Sequence, residues 1–200
     1  MYVWRKDPER LKAVLVDRRR EHDPFLEALL FDKGLTIVER YTCFAEAAGQ
    51  RHLPESDLLV AVIPAEDGTA IPELATLAGK HPVPVLAVSD NDDGAQLGAL
   101  VEAGATSVLC IGVGSDRVRA AANTAIATFD RIAGLARRVE QAEQNLEDRK
   151  RIERAKGILM RQRGISEPEA FRELQVTSMR RNESLRKVAE TIIAAKELLG

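Results

Sequence analysis

The basic residues of the C-terminal quarter are the side chains best suited to bind a ligand. From Arg149 to Gly200 the chain has 13 Lys and Arg against 7 Asp and Glu, a net charge of +6, whereas residues 1–148 have 16 against 24, a net charge of −8. Guanidinium and ammonium groups neutralise phosphates, which gives sequence-independent affinity for nucleic acid. The same residues could form an ordinary solvated helix surface. As a set, they favour binding of a partner.

Residues that could do other chemistry are scattered. Cys43 and Cys110 lie far apart without a Cys-x-x-Cys or Cys/His cluster, and the 3 His have no ligand-spaced partner. The acidic loop 90–93 lacks a distant carboxylate at calcium-loop spacing, so a solvated turn is the better interpretation. We therefore expect no metal site, no cofactor and no catalytic residue, and a protein that is not an enzyme.

Apolar residues within the basic segment recur at helical spacing and predict three short amphipathic helices. The first carries Ile152 on its apolar stripe and ends near Gly164. Ser166, with Glu169 three positions later, forms a capping box at the start of the second helix, and the third begins near Ser184. Because such short helices are unstable alone, their stripes must meet in one core. The predicted core residues are Ala155, Phe171, Met179 and Ala189.

The segments IERAKGILM, RGISEPEAFRELQ, SMRR and LRKVAETII resemble the ANTAR domain, the RNA-binding three-helix module of AmiR/NasT-type transcription antiterminators. The resemblance implies binding of paired hairpins in a nascent leader transcript, which prevents a terminator from forming. One departure is Ser178, where a small apolar residue is usual; its hydroxyl could bond back to a helical carbonyl. The residues expected to contact RNA are Lys156, Arg161, Arg163, Arg172, Arg180, Arg181 and Lys187.

The first 120 residues alternate short apolar runs with helical segments, which predicts a parallel sheet buried on both faces. Strands are expected at 12–16, 36–41, 57–63, 83–88 and 107–111. Helices are expected near 24–33, 44–51, 72–80, 94–103 and from about 115 onward. The predicted fold is an α/β, five-stranded, doubly wound, flavodoxin-like domain, and it also resembles the receiver domain of response regulators.

The receiver resemblance implies an acidic magnesium site after the first strand, an aspartate acceptor at the end of the third and a lysine after the fifth. Here Asp17 is followed by Arg18, and Val62 stands at the acceptor position. Ser89 keeps the hydroxyl expected after the fourth strand, but Ile111 stands where the lysine should be. Phosphoryl transfer to this domain is therefore not expected. A displaced acceptor at Asp57 or Asp67 is the alternative.

The segment that follows the last strand predicts a long helix with a coiled-coil seam. The seam residues, spaced three and four apart, are Ala125, Thr128, Ile132, Leu135, Val139, Ala142 and Leu146. The seam indicates a homodimer that would hold two RNA-binding units together; the alternative is a single surface helix packed on its own domain. We expect a pseudo-receiver domain at 1–120, a coiled-coil helix at 121–150 and an ANTAR domain at 151–200.

The predicted function is an RNA-binding transcription antiterminator controlled by a sensor protein rather than by phosphorylation. The AmiR/NasT resemblance implies a ligand-sensing partner of periplasmic-binding-protein type, and DRKRIERAKG and IIAAKELLG look closer to the NasT branch, the nitrate and nitrite assimilation regulators.

No apolar run could span a bilayer and the start lacks a signal peptide, so a cytoplasmic protein without membrane contact is expected. The alternatives are a two-component regulator with a non-standard phosphorylation site and an adaptor that grips an acidic protein.

Overall fold

The computed structural model describes residues 10–19, 28, 30–64, 67–110 and 117–199. The chain divides into two compact units, Met1–Ala133 and Gly134–Gly200. The strands are β1 (Leu11–Asp17), β2 (Leu35–Tyr41), β3 (Leu58–Ile63), β4 (Val85–Ser89) and β5 (Ser107–Cys110). The helices are α1 (Phe44–Gly49), α2 (Ala70–Lys80), α3 (Gly94–Glu102), α4 (Arg117–Arg163), α5 (Glu167–Arg181) and α6 (Leu185–Leu199).

The N-terminal unit contains one five-stranded sheet in the order β2-β1-β3-β4-β5, and every neighbouring pair is parallel. This is the flavodoxin-like order of doubly wound proteins, which receiver domains share. The predicted fold class is confirmed. Of the helix expected near 24–33, Ala28 and residues 30–33 lie among the described residues; Ala28 and residues 30–32 are helical, and Lys33 is in a turn.

Strands β1 and β3 are buried because the sheet is covered on both faces. Alternate side chains point to opposite faces, and the core divides accordingly. Val14 and Leu59 belong to one apolar cluster, whereas Leu15 and Val60 belong to the other. The uninterrupted apolar runs of the sequence follow from this arrangement, since a central strand has no solvent-facing side.

The first turns of α4 pack on the second of these clusters. Val118, Ala122, Ala125 and Ile126 are all buried there. Ala125 was expected in a coiled-coil seam, but it belongs to the core of the N-terminal unit. The seam residues that the structure leaves exposed begin at Ile132.

The C-terminal unit is formed by the end of α4 together with α5 and α6. Gly164 ends α4 with a φ of 67°, and Asn182 ends α5 with a φ of 52°, both in the left-handed region that permits a tight helix stop. The predicted capping box is present: the Glu169 carboxylate accepts a hydrogen bond from the Ser166 backbone N–H at 2.8 Å. The hydroxyl of Ser178 donates to the Glu183 carbonyl at 2.5 Å. It therefore fastens the α5–α6 turn rather than bonding back within the helix.

Gly104 provides a test of the packing between α2 and the turn before β5. Its φ is +106°, and a Cβ added there would lie 2.7 Å from the Cβ of Ala78. We expect Gly104→Ala to lower the free energy of unfolding by about 1–3 kcal/mol, because the change combines backbone strain with a steric clash. Urea denaturation measures the effect.

Gly98 is the matched control, since it lies within α3 and an added Cβ would meet nothing within 4 Å. Gly98→Ala should be neutral or stabilise the fold by about 0.5–1 kcal/mol through helix propensity. Equal stability losses for the two variants would contradict the packing described here.

Candidate nucleic-acid interface

Three helices meet in a small apolar core in the C-terminal unit. Its buried residues are Ala155, Leu159, Ala170, Leu174, Val188 and Ala189. Ala155 and Ala189, which the sequence placed in the core, are fully buried. Small side chains at these positions let the helix backbones approach closely.

Two other residues expected in this core lie at the surface. Met179 is 79% exposed and Phe171 is 37% exposed. The prediction for Met179 is wrong because α5 directs Ala170 and Leu174 inward, and Met179 lies on the opposite side of the helix. Phe171 is at the edge of the core, where its ring lies 5.8 Å from the Lys156 ammonium.

Ion pairs join α4 to α5. The ammonium of Lys156 is 2.7 Å from Glu167 and 2.9 Å from Glu153, and Arg163 pairs with Glu173. The hydrogen bonds that the Lys156 ammonium donates to Glu167 and to Glu153 raise the pKa of Lys156, and the bond accepted from Lys156 lowers the pKa of Glu167. Both groups therefore stay charged around neutral pH, which keeps the bridge intact.

Lys156 was expected to contact RNA, but the structure gives it another role. Lys156 is only 7% exposed, and its ammonium donates hydrogen bonds to two carboxylates. Arg163, also in the predicted set, is exposed but paired with Glu173. These two residues connect α4 to α5 and are the least available of the predicted contacts.

A second group of ion pairs joins α4 to α6. Arg154 lies 2.8 Å from Glu197, and Arg151 lies 3.8 Å from Glu190. Arg186 reaches back to Asp148 at 3.4 Å. Individual surface pairs of this kind contribute about 0–1 kcal/mol. Their main effect here is to pair these three cations with acids of the same unit.

Five of the predicted RNA contacts are exposed and have no side-chain ion pair or hydrogen bond among the residues that the structure describes. They are Arg161, Arg172, Arg180, Arg181 and Lys187. Arg172 and Arg180 lie on one face of α5, eight positions apart, and Arg181 is the last residue of that helix. Lys187 is in the first turns of α6.

Lys196 belongs with this group but was not among the predicted contacts. It lines a shallow groove between α4 and α6 together with Arg161, and Ile158 and Ile193 are among its other lining residues. Lys196 also has no side-chain ion pair or hydrogen bond in the described part of the chain. Its position three residues after Ile193 on an amphipathic helix was the only signal in the sequence.

The pocket that would hold phosphate in a receiver domain is instead closed by arginines. Sheet register places Asp17 opposite Val62 at the carboxyl ends of β1 and β3. Both oxygens of the Asp17 carboxylate accept hydrogen bonds from Arg19, at 3.0 and 2.8 Å. Val62 is buried and offers no nucleophile. Ser89 is buried at the end of β4, and Ile111 lies outside the described residues.

The Arg18 side chain lies at the carboxyl ends of these strands. Its guanidinium lies 2.6 Å from Asp67, pairs with Glu73 and donates to the Thr69 hydroxyl at 2.9 Å. Burial alone would raise the pKa of Asp67, but the hydrogen bonds from Thr69 and Arg18 lower it. A positive side chain therefore stands where a divalent cation would be needed.

The alternative acceptor Asp57 is at the other end of the sheet. It immediately precedes β3, and its carboxylate accepts a 2.8 Å hydrogen bond from the Lys12 backbone N–H. No group of three or more metal-ligating side chains occurs within the described ranges. None of the helices described is long and apolar enough to cross a membrane.

Comparison with known proteins agrees with this division of the chain. Residues 140–193 match the ANTAR domain family. The transcriptional regulatory protein PdtaR of Mycobacterium tuberculosis is 29% identical over 177 residues, which cover 88% of this chain and 84% of that protein.

Solved structures resemble the N-terminal unit. A pilus assembly protein (CpaE) from Burkholderia thailandensis has a TM-score of 0.52 at 18% identity, covering 58% of this chain and 98% of that chain. A pilus assembly-related protein from Burkholderia pseudomallei has a TM-score of 0.50 at 19% identity, covering 59% and 90%. At these identities the likeness shows the fold alone.

The bundle geometry, the match over residues 140–193 and the relative that aligns along most of the chain lead to one conclusion. Residues 140–193 are similar to the ANTAR domain, the N-terminal unit has a receiver-like sheet, and the chain as a whole is similar to a transcriptional regulatory protein.

Proposed function

We propose that this protein binds paired hairpins in a nascent leader transcript through its C-terminal unit and thereby prevents transcription termination. The free cations of the bundle neutralise phosphates, and one or two arginines read exposed loop bases. A nascent transcript would be met in the cytoplasm. The protein has no catalytic step of its own in this proposal, so regulation depends on whether the bundle can reach RNA.

The observation that carries the proposal is the division of the basic residues into two groups. Of the 13 Lys and Arg from Arg149 onward, 6 have ion pairs within the unit. The other 7 have none among the described residues. They are Arg149, Arg161, Arg172, Arg180, Arg181, Lys187 and Lys196. Cations left without internal acids are available for an external polyanion.

An adaptor that grips an acidic protein is the second candidate, since free cations also suit acidic peptides. The match to the ANTAR family favours RNA. The nitrate and nitrite assimilation genes suggested by the NasT-like segments stay a prediction.

Homodimerisation through α4 is part of the proposal. Ile132, Leu135, Val139 and Leu146 are spaced three, four and seven residues apart and are between 49% and 57% exposed. Each is an apolar side chain on one stripe of a continuous helix. A second copy of this helix would cover the stripe and bring two RNA-binding units to one pair of hairpins.

The arginine-filled pocket supports control by a protein partner rather than by phosphate. Arg18 and Arg19 hold Asp17, Asp67 and Glu73 in ion pairs, which occupies the described carboxylates that a metal ion would need at this edge of the sheet. We propose that a ligand-sensing protein of periplasmic-binding-protein type docks on the chain and restrains it.

The double change Arg180→Gln and Arg181→Gln tests the RNA contacts. We expect RNA affinity to fall by about tenfold to a hundredfold and the slope of log K against log salt to decrease by about 2, one for each lost phosphate contact. The probe is an RNA enriched by the wild-type protein from a pool of tandem stem-loops with randomised loops. Fluorescence anisotropy across a salt series measures both quantities.

Arg137→Gln with Arg138→Gln is the matched control. This pair is also adjacent, helical and exposed, and the charge change is identical, but it lies outside the matched ANTAR residues. Its affinity and salt slope should equal those of the wild type. Equal losses in both double variants, or enrichment of no RNA at all, would contradict the proposal.

The dimer is tested by Val139→Lys with Leu146→Lys. In a dimer, the two lysines would be buried against their symmetry mates, so we expect the variant to be a monomer. Sedimentation equilibrium measures the mass. Helical content should be retained because both residues are exposed in the single chain. The control Gln141→Lys with Gln144→Lys adds the same charge to the outer face of α4 and should stay dimeric. A wild-type chain that sediments as a monomer would rule out the seam.

Incubation with acetyl phosphate and magnesium tests the closed pocket. We expect the intact mass of the wild-type chain to stay unchanged, while an ordinary response regulator in the same tube gains a phosphoryl group. A phosphoryl group that appears on the wild type and disappears in Asp67→Asn would show that Arg18 does not block the site.

A further inference from the structure

The outward face of α5 carries an unusual combination of side chains. Arg172, Val176, Met179 and Arg180 are spaced four, three and one residue apart, which places them within about 100° of one another around the helix, on the side opposite its buried residues. Val176 is 55% exposed and Met179 is 79% exposed. Two large apolar side chains thus stand in solvent between two arginines.

Other side chains of α5 make contacts within the C-terminal unit. Ala170 and Leu174 enter the core, and Glu173 pairs with Arg163. Glu169 is engaged by the Ser166 backbone and hydroxyl. Arg172 and Arg180 have no such partner within the described chain. No contact among the described residues therefore accounts for these exposed side chains, which point away from the core that α5 helps to form.

The spacing along the helix suits a short stretch of single-stranded nucleic acid. Arg172 and Arg180 are eight residues apart, or about 12 Å along the axis, with the apolar pair between them. Unpaired bases have flat apolar faces and are flanked by phosphates, so they need an apolar surface with a cation at each end. Methionine suits this role because its unbranched, polarisable side chain adapts to planar groups.

A protein partner is the weaker occupant for this stripe. A stable protein interface buries roughly 800 Å² on each side, and two apolar side chains provide only a small part of such an area. The unpaired arginines on either side favour an anionic ligand rather than a second apolar surface.

We propose that Met179, with Val176 beside it, contacts unpaired loop bases of RNA while Arg172 and Arg180 hold the phosphates on either side. This inference rests on the RNA-binding function proposed above and adds a base-contacting residue to it. Arginines supply affinity that depends on salt, and the apolar pair supplies a contact that depends on the bases and not on salt.

The test compares Met179→Ala and Met179→Leu in the full chain. The probes are the stem-loop RNA enriched by the wild type and the same RNA with abasic loop nucleotides. On the intact RNA we expect Met179→Ala to bind about tenfold more weakly, since an apolar contact worth about 1.4 kcal/mol is lost. The salt slope should stay at the wild-type value. Met179→Leu should bind within about twofold of the wild type.

The wild type should bind the abasic RNA more weakly than the intact RNA, by a factor similar to that caused by Met179→Ala. On the abasic RNA, Met179→Ala should bind as tightly as the wild type. Val101→Ala is the control, because Val101 is equally apolar and 57% exposed but belongs to the N-terminal unit. It should leave both affinities unchanged. Circular dichroism of all variants verifies that the helices are retained.

Three results would overturn the inference. Wild-type affinity of Met179→Ala on the intact RNA would show that the side chain makes no contact. An equal loss on intact and abasic RNA would show that the contact is not to bases. A change in sedimented mass in place of a change in affinity would assign the stripe to a protein interface. If the wild-type chain enriched no RNA, the proposed function itself would fail, which is a different outcome from any of these.

Discussion

The ion pairs that connect α4 to its two neighbours determine which charges the protein can offer to a partner. Lys156 and Arg163 are neutralised by acids of α5, and Arg151 and Arg154 by acids of α6. Each of these bridges joins two different helices, which holds the end of α4 and the two shorter helices around a small apolar core. The cations that remain have no internal partner among the described residues, so the basic residues that join the helices are distinct from those proposed to bind RNA.

In the N-terminal unit, Arg18 and Arg19 are both paired with nearby acids, whereas several cations of the C-terminal unit are unpaired among the described residues. The fold of the N-terminal unit is that of a receiver domain, but the edge where a receiver binds metal and phosphate is occupied by Arg18 and Arg19. These guanidinium groups satisfy Asp17, Asp67 and Glu73 internally, which removes the acidic pocket without changing the sheet.

The sequence predicts the fold well because burial leaves a direct pattern in it. Strands buried on both faces, such as β3, are apolar throughout, and the Ser166–Glu169 capping box identifies the start of α5. The receiver pocket could also be interpreted in advance, since Val62 has no acceptor oxygen. These features depend on single residues or on neighbours along the chain.

The site itself was harder to predict because residue type does not give orientation or pairing. Met179 is apolar and helical, yet it faces away from the core. Lys156 is basic, yet it is largely buried and its ammonium is paired with Glu167, eleven positions away. Ala125 fits a heptad pattern but packs on the sheet. Only the packing of the helices distinguishes these cases.

The central claim is that the unpaired cations of the C-terminal unit form the RNA-binding surface. Modification of arginines by a dicarbonyl reagent, followed by peptide mass spectrometry with and without the enriched stem-loop RNA, tests it most directly. RNA should protect Arg161, Arg172, Arg180 and Arg181 and leave Arg137 and Arg138 as reactive as before. Protection that is absent, or confined to Arg137 and Arg138, would contradict this account.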